Sequence, residues 1–332
     1  MEKNTILVTG GAGYIGSHVA RQLGEAGERV VVLDNLIKGF RQAVVSGELI
    51  VGDVGDYALV SRILQDHQVD TVMHFAAHIS VAESMANPLK YYGNNTCGTQ
   101  VLLKACAEQN VKNFVFSSSA AVYGVPDGGY ADETSPTRPI NAYGTSKLMS
   151  EWMLRDVATV NPLRYVALRY FNVAGCHPGG VIGHSTIGSH LLTKVACEAM
   201  VGKRPHVSVF GSDYPTPDGT CVRDYLHIED LAAAHLNALD YLRNGGNSTI
   251  LNVGYGHGYS VREVLRMLEK VAGKALIIRE EGRRAGDPAY LVARADRIRS
   301  ELGWQPRFDD LEAIVGSNLS WERQLLQNPW KN

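Results

Sequence analysis

Three features of this sequence predict a doubly wound α/β fold, a parallel sheet with helices on both faces, joined to a smaller mixed α/β lobe. Strand-like and helical stretches alternate through the first half of the chain. A glycine-rich turn, Gly10-Gly11-Ala12-Gly13-Tyr14-Ile15-Gly16, follows the first apolar run. A carboxylate, Asp34, closes the second apolar run at 29–33.

The first run, 5–9, is short and rich in β-branched residues, as a strand buried on both faces requires. A helix is predicted behind it over 14–26. Gly10, Gly13 and Gly16 carry no Cβ, so backbone N–H groups and the helix N-terminus can close on a pyrophosphate. Positions 11, 13 and 16 also satisfy G-x-G-x-x-G. Asp34 lies within the ~20 residues of that turn at which a carboxylate accepts the adenosine ribose hydroxyls. It would repel a 2′-phosphate, so NAD is expected rather than NADP. Further strands are predicted near 48–52, 70–75, 113–117 and 164–169, with helices near 57–67, 96–109 and 144–159. In such a sheet the ligand lies across the carboxyl ends of the strands.

Beyond residue 171 the texture changes. Residues 177–188, rich in Gly, Ser and His, read as a long loop, where function tends to concentrate. Helices are predicted near 189–202, 229–243, 261–272 and 309–327, and short strands near 206–210, 249–253 and 275–279. Ser260-Val261-Arg262-Glu263 has the form of a capping box. Residues 1–171 are therefore read as a dinucleotide-binding domain and 172–332 as a substrate lobe, with some elements interleaved between them.

Composition narrows the function classes. Apolar residues make up 45% and charged residues 20%, with a net charge of −2, which suits a globular protein. No basic run suggests nucleic acid or a membrane surface. No apolar stretch approaches the ~18 residues of a membrane span, and the chain enters a strand with no apolar leader. Cys97, Cys106, Cys176, Cys197 and Cys221 form no C-x-x-C pair. A cytoplasmic location and no metal site are expected.

The chemistry is carried by Tyr143-Gly144-Thr145-Ser146-Lys147, with Ser117-Ser118-Ser119 at a strand end upstream. Tyr143 and Lys147 stand four apart on a helix, about 5–6 Å between Cβ atoms. An ammonium there is expected to lower the phenol pKa from ~10 towards a value useful in a general base. Lys147 could also hold the nicotinamide ribose.

Together these residues resemble the extended short-chain dehydrogenase/reductase superfamily. Longer blocks resemble its UDP-glucose 4-epimerase family. They include Gly52-Asp53-Val54, His74-Phe75-Ala76-Ala77, Tyr91-Tyr92-Gly93-Asn94-Asn95, Ser117 to Gly124 and Arg169-Tyr170-Phe171-Asn172. Further along are Phe210 to Thr216, Val222-Arg223-Asp224-Tyr225 and Arg283-Arg284-Ala285-Gly286-Asp287-Pro288. The likeness runs from residue 5 to about 305. It implies a captive NAD that takes and returns hydride at the sugar C4, with a transient 4-keto sugar. Tyr143 would be the base, Ser119 its relay and Lys147 their partner. It also maps Gly10, Gly13, Tyr14, Ile15, Gly16, Asp34, Asn35, Lys38, Gly39, Asp53, Val54, Phe75, Ala76, Ala77, Asn95 and Phe171 to NAD, alongside Ser119, Tyr143 and Lys147. On the UDP-sugar side it maps Asn172, His190, Leu191, Ser208, Val209, Phe210, Arg223, Arg284, Asp287 and Tyr290, again with Ser119 and Tyr143. A homodimer, joined through helices 96–109 and 144–159, is implied too.

The rivals are separable. A 4,6-dehydratase would need an acidic pair where this chain has Ala120-Ala121. A UDP-glucuronate decarboxylase, or an epimerase of UDP-pentoses, UDP-uronates or N-acetylated UDP-hexoses, stays open. A non-catalytic dinucleotide sensor would be expected to lack Tyr143 or Lys147. The bulky Tyr290 is expected to crowd an N-acetyl group. His74, His78 and His227 read as packing or strand-end residues rather than metal ligands.

Overall fold

The computed structural model describes residues 5–284 and 286–330, so Ala285 of the Arg-Arg-Ala-Gly-Asp-Pro block lies outside the described residues. The chain opens with β1 (Thr5–Thr9), α1 (Tyr14–Glu25), β2 (Arg29–Asp34), β3 (Glu48–Val51), α2 (Tyr57–Asp66) and β4 (Val69–His74). Helices α3 (Val81–Ala86) and α4 (Pro88–Tyr91) lead through a π-helical turn, Tyr92–Cys97, into α5 (Gly98–Glu108). There follow β5 (Asn113–Ser117), β6 (Tyr130–Ala131), α6 (Ala142–Val160), β7 (Arg164–Tyr170), β8 (Asn172–Ala174) and α7 (Leu192–Met200). Next come β9 (Val207–Phe210), β10 (Val222–Arg223), β11 (Tyr225–His227), α8 (Ile228–Arg243), β12 (Thr249–Val253) and β13 (Tyr259–Ser260). The chain closes with α9 (Val261–Ala272), β14 (Ile278–Glu281), β15 (Tyr290–Ala293), α10 (Asp296–Leu302) and α11 (Leu311–Gln327).

Seven parallel strands form the main sheet, in the order β12-β7-β5-β4-β1-β2-β3. Winding runs outward in both directions from β1 and β4. A crevice therefore opens at their carboxyl ends, the switch point where ligands of such sheets bind. Side chains alternate across the sheet. Ile6 and Val8 enter the apolar core on one face, Leu7 the core on the other. The doubly wound fold expected from the sequence is present.

Several elements differ from expectation. Strand β12, expected in the lobe, is the outermost strand of the large sheet, with Leu251 and Val253 fully buried against β7. Its pattern announces a buried strand, and nothing local says which sheet receives it. Residues 81–86 and 88–95, to which the sequence assigned no element, are helical, and the helix expected at 96–109 starts in a π turn. Helix α10 also escaped notice, being only seven residues long. The capping box at Ser260 is present, both of its hydrogen bonds formed. The smaller sheets are β13-β10-β15-β6, β11-β8 and β14-β9.

Candidate active site

The glycine turn is built for close approach. Gly10 has φ of +72°, and a Cβ there would lie 2.5 Å from the Ala76 nitrogen. A Cβ on Gly16 would run into the Gly10 carbonyl, and one on Gly39 would sit 2.8 Å from the Ala12 carbonyl carbon. The Phe40 N–H donates to the Ala12 carbonyl at 2.9 Å, folding the Lys38–Gly39 loop over the turn. Lys38 itself is exposed and Ile15 half-buried there. Asp34 accepts the Ala12 N–H at 3.0 Å and the Leu36 N–H at 2.8 Å. Burial pushes its carboxyl upward, and those two N–H groups work against that. A carboxylate has about four acceptor positions, so room remains for ribose hydroxyls. The Asp53 carboxylate, mapped by likeness to the cofactor, accepts the Asn35 amide at 2.8 Å. Val54 is buried in the core. Phe75, Ala76 and Ala77 line the far wall, half-buried beyond β4. These residues suit a dinucleotide.

Two of the mapped cofactor residues also tie parts of the protein together. The Tyr14 hydroxyl donates to the Gly175 carbonyl at 2.6 Å, and its ring stacks on His184 at 4.5 Å. Tyr14 thus ties the glycine turn to the long loop, and His184 is a site residue that the sequence reading missed. The Asn95 amide donates to the His78 carbonyl and Ser146 hydroxyl, both at 3.0 Å, and its oxygen accepts the His78 N–H at 2.8 Å. It fastens the π turn to α6, one residue before Lys147.

The catalytic candidates converge where β5 ends. Asn141 caps α6 by accepting the Gly144 N–H at 2.8 Å, which sets Tyr143 in the first turn. Ser119 follows β5, its hydroxyl accepting the Ala121 N–H at 3.1 Å and hydrogen-bonding the Tyr143 phenol. Lys147 is buried, donating to the Ser117 carbonyl at 2.8 Å with its ammonium 5.0 Å from the Phe116 ring centroid. The electrostatics correct one expectation. Burial raises the Tyr143 phenol above 10.0, and Ser119, rather than Lys147, is what lowers it. Burial also pulls Lys147 down to about 7, which weakens it as a counter-charge. Phe171 is buried close behind, between β7 and β8.

The residues mapped to the UDP-sugar make contacts of their own. Arg284 stacks on the Phe210 ring with its guanidinium carbon 3.6 Å from the centroid. Arg223 reaches Asp287, N to O, at 3.6 Å. Tyr290 pairs in register with Val222, and Gly129 packs against its Cβ. Asn172 opens β8, its N–H donating to the Asp224 carbonyl at 2.9 Å. Exposed His190 and half-buried Leu191 stand at the N-terminal end of α7. Ser208 is half-buried in β9, while Val209 points into the core and could offer only its backbone. His74 is fully used by Thr9 at 2.6 Å and Thr99 at 2.9 Å. His227 caps α8. His78 packs beside the Tyr91 ring. Among the described residues, no group of His, Cys, Asp and Glu side chains is placed to hold a metal ion.

A family model described as NAD dependent epimerase/dehydratase matches residues 6–254. The chain belongs to that family. As an NAD-dependent member of the extended short-chain dehydrogenase/reductase superfamily, it is similar to a UDP-glucose 4-epimerase of Azospirillum brasilense, 54% identical across 97% of this chain and 93% of the relative. The epimerase of Bifidobacterium longum, solved with NAD+ and UDP, superposes with a TM-score of 0.92 at 40% identity, covering 98% of this chain and 99% of that one. The UDP-Glc/GlcNAc 4-epimerase of Campylobacter jejuni superposes at 0.85 with 46% identity, covering 97% and 99%. No helix among the described residues is long and apolar enough to cross a membrane.

Proposed function

We propose that this protein interconverts UDP-galactose and UDP-glucose by inverting C4 of the sugar, with NAD held in the crevice. The observation that carries this reading is the gathering at the end of β5 of Lys147, bonded to the Ser117 carbonyl, and of Ser119, which acts on the Tyr143 phenol, in a chain that also carries the glycine turn and the Arg223–Asp287 and Arg284–Phe210 pairs. When bound, NAD supplies an acceptor for hydride and, once reduced, its donor. The chain's own residues manage protons and position. Tyr143 takes the proton of the C4 hydroxyl as a 4-keto sugar forms, and returns it after the sugar has presented its other face. Ser119 holds the phenol in line, and Lys147 orients the nicotinamide ribose. Arg223 and Arg284 suit the diphosphate, because a guanidinium fork matches phosphate oxygens. Asp287 is placed for a uridine ribose hydroxyl, and Phe210 for the uracil. The buried site keeps water from the ketone.

The test is incubation of the purified protein with UDP-galactose and no added cofactor. UDP-glucose should form without lasting absorbance of reduced nicotinamide. Steady accumulation of NADH would make the protein a dehydrogenase, and no product would remove the reading altogether.

Two finer readings belong here. Tyr290, braced by Gly129 and held in β15, narrows the sugar end, so plain hexoses are favoured over N-acetylated ones. Met85 on α3, Leu89 on α4 and Trp152 on α6 are exposed, and α3, α4 and α5 all pack against α6; these apolar side chains suit a second copy in a homodimer. The free cysteines fit a reducing cytoplasm.

A further inference from the structure

One buried ion pair is unused by the mechanism above, and its position gives it a role. Glu151 lies one helical turn beyond Lys147 and is almost fully buried. Arg169 in β7 grips it with two nitrogens, Nε at 2.9 Å and Nη2 at 2.6 Å. The Ser118 hydroxyl donates to the same carboxylate at 2.5 Å. Arg169 continues to the Tyr123 hydroxyl at 3.0 Å, and Tyr123 to the Asn252 side chain at 2.6 Å. A chain of polar contacts thus runs from α6 to the end of β5 and on to β7 and β12. A buried pair of this kind is poor value as a source of stability, since apolar residues of equal volume often serve as well. What distinguishes it is placement: Ser118 adjoins Ser119, and Glu151 adjoins Lys147.

We infer that Glu151 is a positioning residue, keeping Lys147 charged and aimed while tying its helix to the strand end that carries Ser119. The groups facing the Lys147 ammonium define its surroundings. From α6 come Tyr143 and Glu151, from β4 the neutral His74, and from β5 the Phe116 ring and Ser117 carbonyl. From β7, Arg169 is taken up by Glu151 and the Tyr170 hydroxyl by the Ser117 hydroxyl. Glu151 is the one anion among them, and it works against the burial that lowers Lys147. Arg169 pairs with Glu151, so removing the carboxylate takes from Arg169 its partner and from Lys147 the anion that opposes its burial. The proposal rests on the epimerase reading.

The experiment measures kcat and KM for UDP-galactose against pH in the whole protein, wild type beside Glu151→Gln and Glu151→Asp. Glu151→Gln should move the alkaline limb of kcat towards acid by about one unit or more, with kcat on that side reduced about tenfold and KM changed little. Glu151→Asp keeps the charge on a shorter arm. Its limb should stay in place while kcat falls severalfold at every pH. Even loss at all pH values in Glu151→Gln, or a wild-type profile in either variant, overturns the inference. Should Glu151→Gln fail to fold, Glu151→Asp decides: a displaced limb or an unreduced kcat is fatal. A wild type unable to convert UDP-galactose sinks the activity itself, whereas an active wild type with an indifferent Gln variant sinks only the part given to Glu151.

Discussion

Tyr143 illustrates what single residues reveal and conceal. Its spacing from Lys147 and the upstream serines were legible in the sequence. The direction of its acidity was not, because burial depends on how β4, β5 and β7 close around it. Burial raises the phenol and Ser119 is the neighbour that works the other way. Tyr143→Phe should retain NAD and the wild-type Tm while kcat falls about 10²- to 10⁴-fold. A variant with undiminished kcat would remove the base. Gly10 was legible as a turn glycine, and the structure adds why alternatives fail: positive φ and the Ala76 backbone at 2.5 Å from any Cβ. Gly10→Ala should lower Tm and leave a protein purified with little nicotinamide, read by its absorbance after denaturation. Tyr14 and Asn95 were given to the cofactor by sequence likeness, and their partners, His184, Gly175, His78 and Ser146, are distant in sequence and so unreadable from it.

At the scale of elements, buried strands with β-branched runs and capped helices were legible, since their signals are local. Strand β12 and the interrupted helix through 81–97 depend on what packs against them. Helix α1 shows how elements from opposite halves are joined. Its His18, Arg21 and Gln22 all reach Glu229 in the first turn of α8, at 2.6 Å for His18 Nδ1 and 2.9 Å for Gln22. Burial works to raise Glu229, but His18, Arg21 and Gln22 win and hold it at about 2, against an ordinary 4.5. A lowered carboxyl pKa adds stability that is present above the unfolded value and lost as pH falls towards the folded one. His18 is held below its ordinary 6.5, chiefly by burial. The unfolded chain therefore takes up that proton first, and acid again favours unfolding. Tm measured by circular dichroism should be level near pH 7 and fall from about pH 6 downward. Glu229→Gln should lower Tm at neutral pH and flatten the acid slope; an unchanged slope would show that the clamp is not responsible.

For the molecule as a whole, the doubly wound sheet was legible, as was some interleaving of the halves, but not which strands carry it. Strand β6 of the first half pairs with β15 of the second, and β12 of the second half completes the first sheet. Such contacts join residues 83 and 162 positions apart, beyond any periodicity. The β6–β15 pairing brings Tyr290 against Gly129, in the segment that leads to α6, where the proposed function places the sugar. If Tyr290 limits that space, UDP-N-acetylgalactosamine should be turned over at least about tenfold less efficiently than UDP-galactose, and equal kcat/KM values would refute the restriction. Sedimentation at micromolar concentration should give a dimer, and a monomer would clear the α5 and α6 face. The deepest commitment is that the hydrogen on C4 leaves and returns as hydride without meeting solvent. Running the reaction in D2O and reading the product by proton NMR tests it directly. UDP-glucose carrying ordinary hydrogen at C4 is the expected result, and deuterium at that carbon would contradict the mechanism.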